Sequence, residues 1–553
     1  MKNILLTILG LSIVSFQSFA AAKKYIVTVN SPQMFKQIQA HQKGFNTFGT
    51  FDHQNNGFHF LSEGPQKLTK TLDNLEMLVV ETENAKDIEV LKASGVVEVE
   101  EEVIFPEPKP LVTFSNTKGG INNGPLETPW GINAVKAPEA WSGSSEGMGA
   151  RVLVLDTGID RDHPALKSRF EKGANFMERE DEPEYEYKDV NGHGTHVAGT
   201  IAADGVGGGL VGVAPKATIL SGRVCSGGCS SIAIISGVDW GISEKVDVIN
   251  MSLGGASPSI AAIKAYKRAE AANIVVVAAS GNDGDKVQGK ISFPAAYDTT
   301  YAVGAIDSHL NKAGFSQWSP ELNIVAPGVD VFSSVPQGSG RDSRLQAIVD
   351  KSSLDLASAP MTGSGTGEFE AEVVFAGLGK PEDVSQLDLT GKIALIQRGE
   401  ISFKDKADNA LNKGAVAVVV YNNELGIVYG TLGDEVEYQV PILGMSKSEG
   451  EALKSALENG SQVTLLVAVD KKDYAVFQGT SMATPHVAGV AALVRAANPT
   501  LSAKQVRDIL SETASPLAGP NDENQLGAGL VNAEAAVEKA LLETPEMIVS
   551  GTN

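Results

Sequence analysis

Between about residues 128 and 338 this chain alternates short β-branched runs with stretches of helical periodicity, and that alternation restricts the fold more than any other feature. The runs are Arg151–Leu155, Thr218–Gly222, Val246–Met251, Ile274–Ala278 and Thr300–Val303; the helical stretches are His193–Ala203, Ser230–Glu244 and Ser259–Ala272. Strand alternating with helix implies an α/β domain with a mostly parallel sheet and helices on both faces. Ligand sites of open α/β sheets lie beyond the carboxyl ends of the strands, and Asp156 directly follows the first apolar run.

Asp156 is one of three chemistry-bearing residues in small-residue settings. The segments are Val154-Leu155-Asp156-Thr157-Gly158-Ile159-Asp160, then Asn191-Gly192-His193-Gly194-Thr195-His196-Val197-Ala198-Gly199, then Gly479-Thr480-Ser481-Met482-Ala483-Thr484-Pro485-His486-Val487. A serine hydroxyl is a poor nucleophile at neutral pH; it needs an imidazole to take its proton and an anion to fix the imidazole tautomer. Ser481 opens a helical stretch, where outward N–H groups favour developing negative charge. Gly192 and Gly194 let another backbone approach His193. Asp156 ends a buried strand, so its carboxylate needs a donor. Taken singly, Ser481 reads as a helix cap, His193 as a satisfied core histidine and Asp156 as a turn residue; the three together, in this order, are the inventory of a nucleophilic hydrolase. Pro485 contradicts the helix that follows Ser481. His196 and His486 read as packing residues.

The three segments resemble the Asp, His and Ser motifs of the subtilisin-like serine proteases, and Thr128-Pro129-Trp130-Gly131-Ile132 and Gly527-Ala528-Gly529-Leu530-Val531-Asn532-Ala533 extend the resemblance. It implies a subtilisin-like three-layer fold, with Ser481 as nucleophile, His193 as general base and then acid, and Asp156 as orienting anion. Ala278–Gly284 resembles the family segment that carries an oxyanion-binding Asn, which puts Asn282 in that role beside the Ser481 N–H. The family binds substrate as an extended strand between two segments. These correspond to Ser252, Leu253 and Gly254 on one side and Gly227 and Gly228 on the other, with Ala279, Ser280 and Gly281 as wall. Ser292 falls at the floor of the S1 pocket, where a small side chain implies acceptance of large P1 residues. The chemistry implies no cofactor. Many relatives bind calcium through an Asp after the Asp motif and an Asn-bearing loop; Ala165 and the loop 204–209 stand there instead, so that site is not expected and any structural calcium has no assigned place.

Residues 1–20 read as a signal peptide: Lys2, the apolar stretch Ile4–Val14, then Ser18-Phe19-Ala20 as cleavage site. The stretch is too short to span a bilayer, and no later run reaches about 18 apolar residues. The expectation is export, extracellular or periplasmic, without a membrane span. The two cysteines, Cys225 and Cys229, then read as one small disulfide. Residues 21–108 read as a small α+β unit, with strands Tyr25–Val29, Met77–Glu81 and Val96–Val103 and helices at 65–77 and 86–94; the layout resembles the inhibitory propeptides of the family. Residues 109–127 read as a linker holding the maturation site. The catalytic domain is assigned to 128–339 and 469–545. Between them, 340–468 has its own strand and helix pattern, and Gly414–Asn422 resembles the protease-associated (PA) domain. A net charge of −22 argues against nucleic acid as a partner. The expected partners are protein or peptide substrates and the chain's own propeptide.

Overall fold

The computed structural model describes residues 22–29, 31–33, 35–36, 49–52, 57–60, 67–83, 88, 97–108, 111–113, 128–177, 187–206, 210–287, 289–433, 436–518 and 523–544. The signal peptide, most of the linker and the helical stretch at 86–94 (Ile88 apart) lie outside these residues. The chain divides into two compact units, Met1–Val103 and Ile104–Asn553.

In the first unit an antiparallel sheet runs in the order Lys67–Leu72, Met77–Thr82, Lys23–Val29, Val97–Glu101. Val27, Val29, Leu78 and Val80 pack with Phe35 and Ile88 on one face. The helix expected over 65–77 is not there. Lys67–Leu72 is a strand, and a turn through Glu76 at φ 55° returns it to Met77. The leucines at 68 and 72 mimic helical spacing, but cross-strand pairing with Met77–Glu81 takes up this backbone, and tertiary pairing outweighs local periodicity.

In the second unit, seven strands form the main sheet among the described residues: β1 (Arg151–Asp156), β2 (Phe170–Asn175), β3 (Thr218–Arg223), β4 (Val248–Met251), β5 (Val275–Ala279), β6 (Tyr301–Ile306) and β7 (Ile324–Pro327), ordered β2-β3-β1-β4-β5-β6-β7. Every pairing is parallel. Side chains alternate across a strand, so β1 buries Leu153 and Leu155 on one face and presents Val154 and Asp156 on the other. On the first face, Gly237 and Gly241 let the helix Ser231–Glu244 come down onto Leu155 and Leu153. On the second, a Cβ at Gly194 would stand 3.2 Å from Asp156 Cβ, which brings in the helix His193–Ala202. The sheet is therefore covered on both faces, the three-layer α/β arrangement. The strand order reverses at β1, and the crevice at such a switch point opens at its carboxyl end, where Asp156 stands.

After β7 the chain forms an antiparallel ribbon. Val331–Ser334 pairs with Tyr474–Gln478, and beyond a break Gly340–Val349 pairs with Val463–Lys472. The ribbon carries a second, mixed eight-stranded sheet, with an apolar cluster around Leu395, Val419 and Leu465 and another around Ile396, Val418 and Val420. Consecutive residues thus face opposite clusters, as in any strand buried on both sides. Among the described residues no helix is long and apolar enough to cross a membrane.

Candidate active site

Asp156 ends β1 and His193 begins the helix His193–Ala202; both side chains are buried, and His193 Nδ1 lies 2.8 Å from Asp156 Oδ1. The same carboxylate oxygen accepts the Thr157 N–H at 2.8 Å. Ser481 is the second residue of the helix Thr480–Ala497, which packs against the His193 helix. Pro485 sits inside that helix and has no N–H to give the Ser481 carbonyl. The Ser252 hydroxyl donates to that carbonyl instead, at 2.8 Å, which is how the helix tolerates the proline. The Ser481 hydroxyl in turn donates to the Ser252 carbonyl at 2.9 Å.

Beside it, Asn282 Oδ1 accepts the Thr480 N–H and the Thr480 hydroxyl, each at 2.9 Å. With its oxygen so engaged, the amide presents Nδ2 to the cleft that Asn282 lines together with Ser481. That cleft, about 880 Å³, is walled by Ser252, Leu253, Gly254, Ala279, Gly281 and Ser292. Gln317 supports this wall: its side chain takes the Ser292 hydroxyl and Asp283 N–H and gives to the Lys290 carbonyl. Ser280 differs from its neighbours. Its hydroxyl is buried and donates to the Gln317 carbonyl, so it braces the wall from behind.

Cys225 and Cys229 form a disulfide with Cα atoms 4.0 Å apart, closing a tight loop through Gly227 at φ 66° and Gly228. The chain's own segment from Ile104 runs along this loop. Ile104–Phe105 pairs antiparallel with Cys229–Ser230, and Glu107 Oε2 accepts the Gly227 N–H at 3.1 Å. A Cβ at Gly228 would meet the Ile104 side chain at 2.5 Å. Phe105 lies over Gly255 in an apolar recess with Ile234, Tyr266 and Phe293. Pro106, Glu107 and Pro108 continue along the cleft past Ser481, and Leu111–Thr113 pairs with Tyr474–Gln478.

The description of the subtilase family matches residues 147–367 and 411–529, and that of the PA domain matches 364–453. The minor extracellular protease Vpr of Bacillus subtilis (strain 168) is 30% identical over 480 residues, 76% of this chain and 55% of that protein. This chain thus spans about half of Vpr. M-protease of Shouchella clausii (strain KSM-K16) is 31% identical over 459 residues, 83% of this chain and 82% of its own length. Among solved structures, the psychrophilic subtilisin-like protease Apa1 from the Antarctic psychrotroph Pseudoalteromonas sp. AS-11 is 30% identical with a TM-score of 0.51, covering 75% of this chain and 99% of that one.

This chain belongs to the subtilase family.

Residues 411–453 fall within both family matches; in this subtilase they form part of the second sheet, through Ala417–Tyr421 and Ile442–Met445.

The residue that sequence reasoning missed is Asp189. Its buried carboxylate accepts five hydrogen bonds: from the Thr157 hydroxyl and the Asn191 and Gly192 N–H groups on one oxygen, and from the Thr195 N–H and hydroxyl on the other. Asn191 Oδ1 passes the restraint on by accepting the His193 N–H at 3.2 Å. Burial pushes the Asp189 carboxyl above its usual range, and the Thr195 and Gly192 donors pull it back. The sequence signal was an Asp four residues before the histidine, too weak alone to separate from a loop residue. Asp189→Asn sets an amide NH2 against N–H donors. We expect it to cost about 3 kcal/mol in urea unfolding, measured on a Ser481→Ala background to prevent self-digestion. A loss below about 1 kcal/mol would mean that other bonds hold the His193 loop. His196 and His486 behave as packing residues: burial drives them down to about 3 and about 4, so both are neutral. His196 stacks on Phe477 with ring centroids 4.3 Å apart.

Proposed function

We propose that this subtilase is an exported serine endopeptidase made as a self-processing zymogen. Ser481 attacks the scissile carbonyl after its hydroxyl rotates from Ser252 to His193. His193 takes the proton and later gives it to the leaving amine. Asp156 holds the imidazole and stabilises its charged form. Asn282 Nδ2 and the Ser481 N–H receive the oxyanion, and the helix N-terminus adds a favourable field. The buried Asp156–His193 pair, with Ser481 and Asn282 on one cleft, is the observation that carries this reading. Side chains and backbone N–H groups supply every chemical role, so the reaction calls for no cofactor. Export rests on the leader read at 1–20, with the extracellular relative Vpr as support. The test is a comparison of wild type with Ser481→Ala: the wild type should lose roughly 100 N-terminal residues and digest casein, and the variant should do neither.

The segment from Ile104 supports the zymogen half. It lies along the cleft in the extended form a substrate takes. Each peptide bond from Phe105 to Leu111 has a proline on one side, Pro106, Pro108 or Pro110. Proline lacks the N–H that strand addition uses and fixes φ, so this strap resists the enzyme that it occupies. We therefore place the maturation cut after Leu111, within the 109–127 stretch.

Seating the strap also makes it pH-sensitive. Burial raises the Glu107 carboxyl above its usual value, and the Gly227 N–H offsets only part of this. A group with a higher pKa when seated takes up protons on seating. The strap is therefore held most tightly below the ordinary glutamate range and less tightly as pH rises through the seated value. A synthetic peptide of residues 104–113 should inhibit the mature enzyme less well at pH ~7 than at pH ~4. The same peptide with Glu107→Gln should show no such trend. Parallel pH profiles for both peptides would sink the assignment.

A further inference from the structure

The ribbon strand Tyr474–Gln478 has Val331–Ser334 on one edge and the chain's own Leu111–Thr113 on the other, in the register Leu111↔Gln478, Val112↔Phe477, Thr113↔Val476. Because the strap passes Ser481 before reaching it, this edge lies where the leaving-group side of a substrate must run. Ala475 and Phe477, two residues apart and so on one face of the strand, line a cavity of about 420 Å³. Its opposite wall comes from the insert that carries the PA match: Met361, Thr362 and Gly363 just before the matched residues and Val436 within them, with Glu437 at the rim. Gly192, next to His193, closes the near end, and Arg341 comes in from the ribbon.

We propose that the PA insert builds a primed-side specificity subsite, in which a substrate residue pairing with Phe477 places a large apolar side chain between Phe477 and the wall of Met361 and Val436. This rests on the protease reading above. The pleat supplies the direction, since residues directly opposite in an antiparallel pair project to the same face. The cavity supplies the class: its floor is apolar, and Glu437 at the rim is already engaged by Arg341 at 3.1 Å. The Arg341 guanidinium adds a second observation. Its Nη1 donates to the Gly338, Ser339 and Gly340 carbonyls, while its buried Nε has no acceptor among the described residues. The specificity of this enzyme is thus divided: the catalytic domain reads the acyl side, and the insert reads one residue of the leaving peptide.

The experiment uses mature enzyme and internally quenched peptides with one fixed acyl-side sequence, each primed position being replaced in turn by Leu, Gly or Asp. A p-nitroanilide of the same acyl-side sequence, which has no primed residues, supplies the reference rate by which each peptide rate is divided. For the wild type, one primed position should favour Leu over Gly by about tenfold or more in kcat/KM, the size expected for burying a large apolar side chain. Val436→Asp, which makes the wall polar, and Thr362→Trp, which fills the cavity, should each bring that preference to within about twofold. An enzyme with no primed preference, or a preference that neither variant moves, would overturn the proposal. If the wild type turns over neither the p-nitroanilide nor any peptide, the protease reading fails as well; turnover of the p-nitroanilide without a primed preference sinks the subsite alone.

Discussion

Ser481→Ala is expected to leave the chain at full length and to lower kcat on the order of 10⁶-fold, the loss known for removing the same group from a subtilisin. The reason is local. On the mechanism proposed above the hydroxyl forms the acyl bond, and the Ser252 hydroxyl on the same cleft is committed to the Ser481 carbonyl. Folding should survive. The hydroxyl makes one hydrogen bond here, to the Ser252 carbonyl, worth about 1 kcal/mol net. The bond from the Ser252 hydroxyl to the Ser481 carbonyl, which compensates for Pro485, does not involve the Ser481 hydroxyl and remains. The variant should therefore melt close to wild type while showing neither maturation nor casein turnover. Mass spectrometry and a casein assay check both halves. A processed variant, or one with activity within tenfold of wild type, would remove Ser481 from the mechanism.

The same residue shows how far the sequence can be read. The three motif segments are legible because their chemistry is concentrated in contiguous small residues, and a strand-end Asp or a helix-start Ser has a local cause. The parallel sheet is legible because its strands are continuous apolar runs such as Val275–Ala279. What escapes is whatever depends on distant pairing. Lys67–Leu72 carries helical spacing and becomes a strand because Met77–Thr82 is there to receive it. Gly340–Val349, with the polar residues Arg341, Asp342, Ser343 and Arg344, has no apolar run to announce a strand; its partner Val463–Lys472 lies more than a hundred residues on. Asp189 escapes for a related reason: its five donors come from two stretches of chain, Thr157 and residues 191–195, and a single carboxylate in a loop gives no hint of them. Pro485 is the converse case, a local conflict explained by the Ser252 hydroxyl, which reaches the Ser481 carbonyl from 229 positions away in sequence. Ser280 sits in the expected wall segment, but its side chain faces the interior because Gln317 is there to bind it.

Asn282→Ala is expected to lower kcat by about 10²–10³, or about 2.7–4 kcal/mol, while KM stays within about twofold. An oxyanion donor acts on charge that exists only after attack, so its loss should appear in kcat and spare ground-state binding. The geometry makes the prediction specific to this residue. Two donors from Thr480 hold the amide oxygen, and this is what directs Nδ2 into the cleft. Thr480→Val removes the hydroxyl donor and keeps the N–H. It should therefore loosen the amide without deleting it, giving a smaller fall in kcat than Asn282→Ala. Combined with Asn282→Ala it should add little, because the bond it removes, from the Thr480 hydroxyl to Asn282 Oδ1, is already gone in that background. Asn282→Asp separates the two ends of the amide: it can still accept from Thr480, but it presents an acceptor where a donor is required, so its kcat should fall at least as far as that of the alanine variant. If KM rises in step with the fall in kcat for all three, Asn282 holds the substrate and not the oxyanion. If Asn282→Asp keeps near-normal kcat, the amide nitrogen is not the donor, and stabilisation of the tetrahedral intermediate must come from backbone N–H groups at the start of the Thr480–Ala497 helix.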